Sequence, residues 1–381
     1  MRGAGDIVEW LTGDESHDLD DVAFAVAFGG HLAKAGLPID RLTLHWRTLH
    51  PEYWGRSIAW SPGETVQIAD RAHGLAQSAM FLRHPIRHVM ETREWLTARN
   101  PDTRFPRWAE LDLFKGRGLV EMIVAPLPQG KGPASAAAFA TTRPDGFSGD
   151  DRRMLEALVP ALRGASEVRV LRHAEQALLD TYVGAATGRR ILAGHIRRGD
   201  VETLDAALFL CDLRGFTALS DRLPGETVLA ALNAYFDQAV PAIEEQGGEI
   251  LKFMGDAVLA YFHVDGDPAR SCRAAFAAAR QALTRLAGAV SPAGILRAGV
   301  ALHYGEVSYG NIGSGHRLDF TVIGRDVNLT SRLQGLCEAT GHPILMSRRF
   351  AELLGAGQAT GIGRYPLKGL GEPVEVFAPG E

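Results

Sequence analysis

Cysteine is scarce in this chain, and its spacing excludes more than its number does. Cys211, Cys272 and Cys337 stand far apart among 381 residues without a CxxC pair, so neither a disulfide framework nor a cysteine-type zinc site is expected. They read as small apolar residues. An excess of positive charge is missing too: 40 Lys and Arg face 45 Asp and Glu, a net charge of -5. That removes the electrostatic footprint of a nucleic-acid partner, and no basic run is dense enough to argue for an anionic membrane. Long apolar runs are also lacking. No window approaches the roughly 18 uncharged apolar residues of a membrane span, and the N-terminal MRGAGDIVEWLTGDESHDLDD has no apolar signal core. A cytosolic protein without a membrane span is expected. Internal repeats and low-complexity tracts are absent.

What is present is an ordinary globular balance, 46% hydrophobic and 22% charged, in a chain long enough for two domains with separate cores. The first, residues 1–165, reads as mixed α/β. RLTLHWRTLHPEYWGRSIAW from Arg41 alternates as strands do, and Gly118 to Thr142 reads as two strands joined by a Gly/Pro/Lys turn. In FSGDD, Ser148 precedes Asp151 by three residues as in a capping box, so a helix is expected from Gly149, with Met154, Leu155, Leu158 and Leu162 on its apolar face. Pro160 and Gly164 are expected to kink or break it. A second helix, carrying Val168, Leu171, Leu178 and Leu179, then belongs to a helical linker over residues 166–202; it either pairs across a dimer or packs on its own domain. The acids of HDLDD, His17 to Asp21, are explained by a helix dipole. His45 and His50 lack the cysteines that would complete a zinc site and read as surface or pocket polar residues.

The chemistry concentrates in residues 203–381. ALFLCDLRGFTALS, Ala207 to Ser220, ends an apolar strand on a carboxylate, Asp212. An unpaired charge there costs several kcal/mol, roughly, which points to a cation or donor at the strand end. Gly215 permits a tight turn and Thr217 is expected to cap the next helix, so the turn presents free backbone N–H groups to a triphosphate. A long helix, Glu226 to Gln246, leads to EILKFMGDAVLAYF, a hairpin with Gly255 and Asp256 at its tip. Two aspartates on neighbouring strand ends suit Mg²⁺, which takes few carboxylates and leaves positions for water and phosphate oxygens.

CDLRGFTALSD, LKFMGDAVLAYF, GNIGSGHRLDFTVIGRDVNLTSRL and LKGLGEPVEVF, in this order over about residues 203–379, resemble the class III nucleotidyl cyclase domain. The resemblance implies an α+β fold class with a ferredoxin-like catalytic core, and conversion of a nucleoside triphosphate to its 3',5'-cyclic monophosphate and pyrophosphate. It implies that Asp212 and Asp256, with the Leu213 carbonyl, hold two Mg²⁺ or Mn²⁺ ions per active site. Lys252 and Thr321 correspond to the purine-reading positions. An ammonium donates to adenine N1 and a threonine oxygen accepts from N6, whereas guanine reverses both requirements, so ATP is expected over GTP. Asn328 and Arg332, four apart on a helix, would orient the ribose and stabilise the transferring phosphate. Gly215, Phe216 and Thr217 would line the triphosphate, and Lys368 its terminal phosphates. Arg325 stands where asparagine or aspartate is commoner, and Leu333 where methionine is frequent; neither change removes a catalytic group.

Lys252 and Asp256 lie four residues apart on one strand, about 13 Å if extended, which favours a homodimer whose sites combine residues of both chains. The strands of Gly118 to Thr142 with the FSGDD helix resemble the C-terminal part of a GAF sensor domain, implying a small-molecule regulator that acts through the linker. The alternatives are a guanylate cyclase and a catalytically silent cyclase-fold binding protein. A diguanylate cyclase is disfavoured because FMGDAV stands where a GG[DE]EF run would be.

Overall fold

Alternation in the strands of the first half decides how that half is layered. The computed structural model describes residues 2–79, 81–99, 116–130 and 134–380, and the chain divides into two compact units, residues 1–181 and 182–381. In the first, β1 (Arg41–Arg47), β2 (Tyr53–Trp60), β3 (Gln67–Ala72), β4 (Leu96–Arg99), β5 (Glu121–Leu127) and β6 (Ser135–Thr141) form one antiparallel sheet in the order β3-β2-β1-β6-β5-β4. Leu42, Leu44 and Trp46 of β1 turn to a core shared with Phe24, Phe28 and Leu32 of the helix Asp21–Lys34 and with Leu155, Leu158 and Leu162 of the helix Gly149–Val183. On the other face, Met122, Val124 and Ala138 meet Ile86, Val89 and Met90 of the helix Pro85–Thr92. The expected strand pair at Gly118 to Thr142 is β5 and β6; residues 131–133 of its turn lie outside the described residues.

The capping box forms. Ser148 N–H donates to Asp151 Oδ2 at 2.7 Å and Asp151 N–H to Ser148 Oγ at 3.2 Å. The break expected at Pro160 does not occur, because the helix runs unbroken from Gly149 to Val183. A proline inside a helix costs about 3 kcal/mol, and burial of Leu155, Leu158, Val159, Leu162 and Ala165 on one face outweighs it. At HDLDD, Asp20 caps the helix Asp21–Lys34, accepting from Ala23 N–H at 2.8 Å.

Gly184 (φ +88°) separates that long helix from a short one, Ala185–Leu192. Beyond it, β7 (Val201–Leu213), the helix Gly225–Glu244, β8 (Glu249–Met254), β9 (Ala257–His263), the helix Pro268–Gly288 and β10 (Ala298–Ser314) form two successive βαβ-like turns of chain. Their strands lie side by side as β10-β7-β9-β8, all antiparallel, the ferredoxin-like order. On the edge of β10 opposite β7, β11 (Arg317–Ile323) pairs with its C-terminal part and β12 (Ile344–Ser347) with its N-terminal part, the sheet continuing from β12 to β14 (Val374–Pro379) and β13 (Ala359–Tyr365). Ala207, Phe209 and Cys211 of β7 face the two helices, meeting Tyr235, Ile243, Cys272 and Ala275, while Leu208 and Leu210 face Leu259, Tyr309 and Phe320. All three cysteines are free and buried. No helix among the described residues is long and apolar enough to cross a membrane.

Phe209 is fully buried between the sheet and the helices. Phe209→Ala is expected to cost about 3–5 kcal/mol, read as an earlier urea transition of the second unit with the first unit's transition unmoved.

Candidate active site

Strand periodicity brings Asp212 to the open face of the sheet. Cys211 faces the helices and Leu210 the opposite side, so Asp212 falls on Leu210's side at the strand's end. It stands between Ala257 of β9 and Gly299 of β10. β8 and β9 join through a two-residue turn, Gly255 and Asp256, closed by the pair Met254 and Ala257. Gly255 sits at φ +67°, a conformation glycine reaches without steric cost. Asp256 therefore arrives one residue before the partner of Asp212, and the two carboxyls meet.

That meeting is electrostatically unfavourable for two charges. Burial first, then the charge of Asp256 and a hydrogen bond between the carboxyls, push the Asp212 carboxyl up to about 6, against a backbone hydrogen bond at Leu213 that lowers it. Asp212 Oδ1 is buried without a hydrogen-bond partner among the described residues. No set of three or more His, Cys, Asp or Glu side chains that could hold a metal ion is found among those residues. A pair of carboxyls with one buried, unpartnered oxygen fits a hard divalent cation that takes its remaining ligands from backbone, water or phosphate.

After Leu213 the chain turns through Gly215 (φ +71°), which is the N-cap of the helix Phe216–Arg222. Thr217 does not cap this helix, contrary to expectation: glycine takes the left-handed cap position, and Thr217 falls inside the first turn. Gly215 and Thr217 are exposed and Phe216 is half-buried against the core. Arg214 fixes the turn from behind, donating from its guanidinium to Cys337 O at 2.9 Å and His342 O at 2.7 Å.

The second group of expected residues lies on β8, β11 and the helix Arg325–Gln334. Lys252 makes an ion pair with Asp319 of β11. Thr321, two residues further, shares a strand face with Asp319 and is buried. The helix Arg325–Gln334 puts Asn328 and Arg332 one turn apart, as expected. Its first turn is anchored by Asp326, which accepts from Glu306 N–H at 2.8 Å and meets His303 Nε2 at 3.3 Å. Gly305 is required there, since a Cβ on it would stand 2.0 Å from Asp326 Oδ2. The Arg332 guanidinium lies against Gly369, where a Cβ would come within 3.3 Å of it, next to the exposed Lys368.

The chain therefore forms two groups, Asp212 with Asp256, and Lys252 with Asp319 beside Thr321. No hydrogen bond or ion pair joins the acidic pair to Lys252, Thr321, Asn328 or Arg332 among the described residues. Asp319 and Arg214 escaped the reading of the sequence. The two-residue strand period from Thr321 identifies Asp319, but nothing local identifies Arg214, whose acceptors lie more than 120 residues away.

In metal-free protein the Asp212 carboxyl is expected to titrate near 6, and Asp256→Asn to bring it down toward the ordinary carboxylate range. Carbon-detected NMR of the carboxyl signals reads both; an unchanged midpoint in Asp256→Asn would leave burial as the sole cause. Gly305→Ala is expected to displace the Asp326 anchor and lower the urea midpoint of the second unit, with the first unit's transition unmoved.

A family profile described as "Adenylate and Guanylate cyclase catalytic domain" matches residues 201–378. The adenylate cyclase of Anabaena cylindrica is 35% identical over 159 residues, 40% of this chain and 31% of that protein. An uncharacterized protein of Mycobacterium tuberculosis is 34% identical over 199 residues, 51% of this chain and 34% of that protein. The chain spans about a third of the length of the curated relatives it matches. Among solved structures, an adenylyl cyclase from P. aeruginosa is 28% identical at a TM-score of 0.42, covering 48% of this chain and 96% of that one. A bacterial light-regulated adenylyl cyclase is 24% identical at a TM-score of 0.49, covering 57% of this chain and 64% of that one. The four ordered motifs, the ferredoxin-like sheet and the profile match agree that residues 201–378 form an adenylate and guanylate cyclase catalytic domain.

Proposed function

We propose that residues 201–378 convert ATP to 3',5'-cyclic AMP and pyrophosphate in a homodimer, with two Mg²⁺ or Mn²⁺ ions per active site. The observation that carries this reading is the half-buried Asp212 carboxyl, its buried Oδ1 without a partner among the described residues, set against Asp256 at a hairpin tip. Asp212, Asp256 and the Leu213 carbonyl are the groups that would hold the ions. When bound there, divalent cations supply acidification of the ribose 3'-hydroxyl and neutralisation of phosphate charge.

In the reaction the 3'-oxygen forms a bond to the α-phosphorus, the bond from that phosphorus to the bridging oxygen breaks, pyrophosphate leaves, and the hydroxyl proton passes to solvent. Asn328 orients the ribose. Arg332 donates its planar fork to the transferring phosphate, Lys368 meets the terminal phosphates, and Gly215, Phe216 and Thr217 line the triphosphate. Lys252 donates to adenine N1 and Thr321 accepts from N6. Asp319 holds Lys252 in place until the base arrives.

The separation of the two residue groups within one chain supports the dimer. So do the exposed apolar side chains on the strands that bear them, Phe253 (51% exposed) and Met254 (43%) on β8, Leu318 (40%) and Ile323 (48%) on β11. A second copy placing its β8 and β11 opposite the first copy's acidic pair would cover these side chains and complete two sites. The first unit, with its antiparallel sheet and the cavities along it, is read as a GAF-like regulatory domain for a small molecule. A guanylate cyclase is the second reading, favoured by Asp319, whose carboxylate can accept from guanine N1–H while Lys252 donates to O6.

Asp256→Ala is expected to lower product formation by at least about 100-fold; unchanged turnover would point to the silent binding protein. Neither Asp256→Ala nor Arg332→Ala should be active alone, but mixing them should restore about a quarter of the wild-type rate, since half of randomly mixed dimers carry one intact site. No recovery would overturn the shared site. Side-by-side turnover of ATP and GTP decides the base, and greater use of GTP, abolished by Asp319→Asn, would establish the guanylate reading.

A further inference from the structure

β1, β2 and β3 present a second, chemically distinct face inside the first unit. Their apolar alternates fill the core, while Arg41, Thr43 and His45 of β1 point to the opposite side, in register with Ser57 and Ala59 of β2 and, beyond them, Gln67, Ala69 and Arg71 of β3. Neighbouring β6 brings Ala136, Ala138 and Ala140 to the same face. Small side chains leave room where large ones would fill it. The result is a cavity of about 160 Å³, closed on its far side by His84 and Ile86 at the start of the helix Pro85–Thr92. Its volume is comparable to the ~150 Å³ apolar cavity that admits benzene, but its walls are polar.

The polar groups are of one sign. Arg41 is buried, 9% exposed, and its Nε has no partner among the described residues. Among the described residues Arg71 donates to a neutral group, Ser57 Oγ at 3.3 Å, and His45 Nδ1 shares that hydroxyl at 3.1 Å. His45 and His84 are held down at about 3 and about 4, first by burial and then by the neighbouring cations, so both rings are neutral at physiological pH. No carboxylate lines the cavity among the described residues. Glu64, whose charge acts on Arg41, is engaged by Arg117 at 2.8 Å. Arg71 is exposed at the rim of the cavity, so the cost falls on Arg41: a buried guanidinium with an unpartnered Nε costs several kcal/mol, roughly, and an anion beside it offsets that cost.

We propose that this cavity binds a small organic oxyanion of about the size of benzoate, held by the buried Arg41 guanidinium and met at the rim by Arg71, with Thr43, Ser57, His45 and His84 completing its hydrogen bonds. The inference rests on the regulatory reading above for its consequence, and on the cavity alone for the binding. A carboxylate and a phosphate present the same chemistry to a guanidinium fork, so both are tested.

Full-length protein is titrated calorimetrically with benzoate, with inorganic phosphate and with neutral benzamide. Saturable binding of either anion, absent for benzamide, is expected, and the tighter anion identifies the source. Arg71→Gln, on an exposed strand, should weaken it about tenfold or more, the loss of one charge-assisted hydrogen bond. Arg41→Gln should do the same, and if it does not fold, Arg41→Lys, which keeps the charge but not the fork, takes its place. Binding of neither anion, equal binding of benzamide, or affinity unchanged in Arg71→Gln would overturn the site. Binding without any effect on cyclic nucleotide formation would overturn only the regulatory reading, leaving the site intact.

Discussion

Two carboxyls that would repel each other in water are held together at the exit of a central strand, and the catalytic half of the molecule is arranged around that contact. β7 is flanked on both sides, by β9 and β10, so Asp212 cannot swing away along an edge. The two-residue turn at Gly255 leaves Asp256 no other place. Burial and mutual repulsion raise the Asp212 carboxyl and leave one of its oxygens without a partner. Free energy withheld from folding in this way is available to whatever cation enters. The turn behind the pair is secured by Arg214 and the helix of Asn328 and Arg332 by Asp326, so the surroundings yield less readily than the ligand.

The first unit uses the same device with the opposite sign. Strand alternation sends leucines and tryptophans to one face of a sheet and two arginines to the other, where alanines on the adjoining strand leave space instead of filling it. A sheet face that sets a buried arginine with an unpartnered Nε beside its apolar cluster is not optimised for stability alone. In each unit one charged group with an unpartnered atom, Asp212 at a strand end and Arg41 at a cavity wall, stands where a ligand of complementary charge can reach it.

Much of this was legible because it depends on neighbours in the chain. The capping box at Ser148 and Asp151, the hairpin around Gly255, the helical spacing of Asn328 and Arg332, and the apolar strand running into Asp212 are short-range patterns, set by strand and helix periods and by the conformations glycine permits. Two local rules failed for opposite reasons. Pro160 did not break its helix, because the buried face on either side of it outweighs one lost hydrogen bond, and Thr217 did not cap the next helix, because Gly215 already occupied the cap in a left-handed conformation.

The sequence by itself determined the elements, the carboxylates at their ends and the order of the four motifs. Only the tertiary structure decided that Asp256 falls beside Asp212, that Asp319 holds Lys252, that Arg214 ties its turn to distant carbonyls, and that Arg41 and Arg71 line a cavity with no acid on its walls among the described residues. The reason is physical. Periodicity fixes which way a side chain points from its own strand, whereas the partner it meets depends on register between strands distant in sequence, and register is settled by the packing of both faces at once.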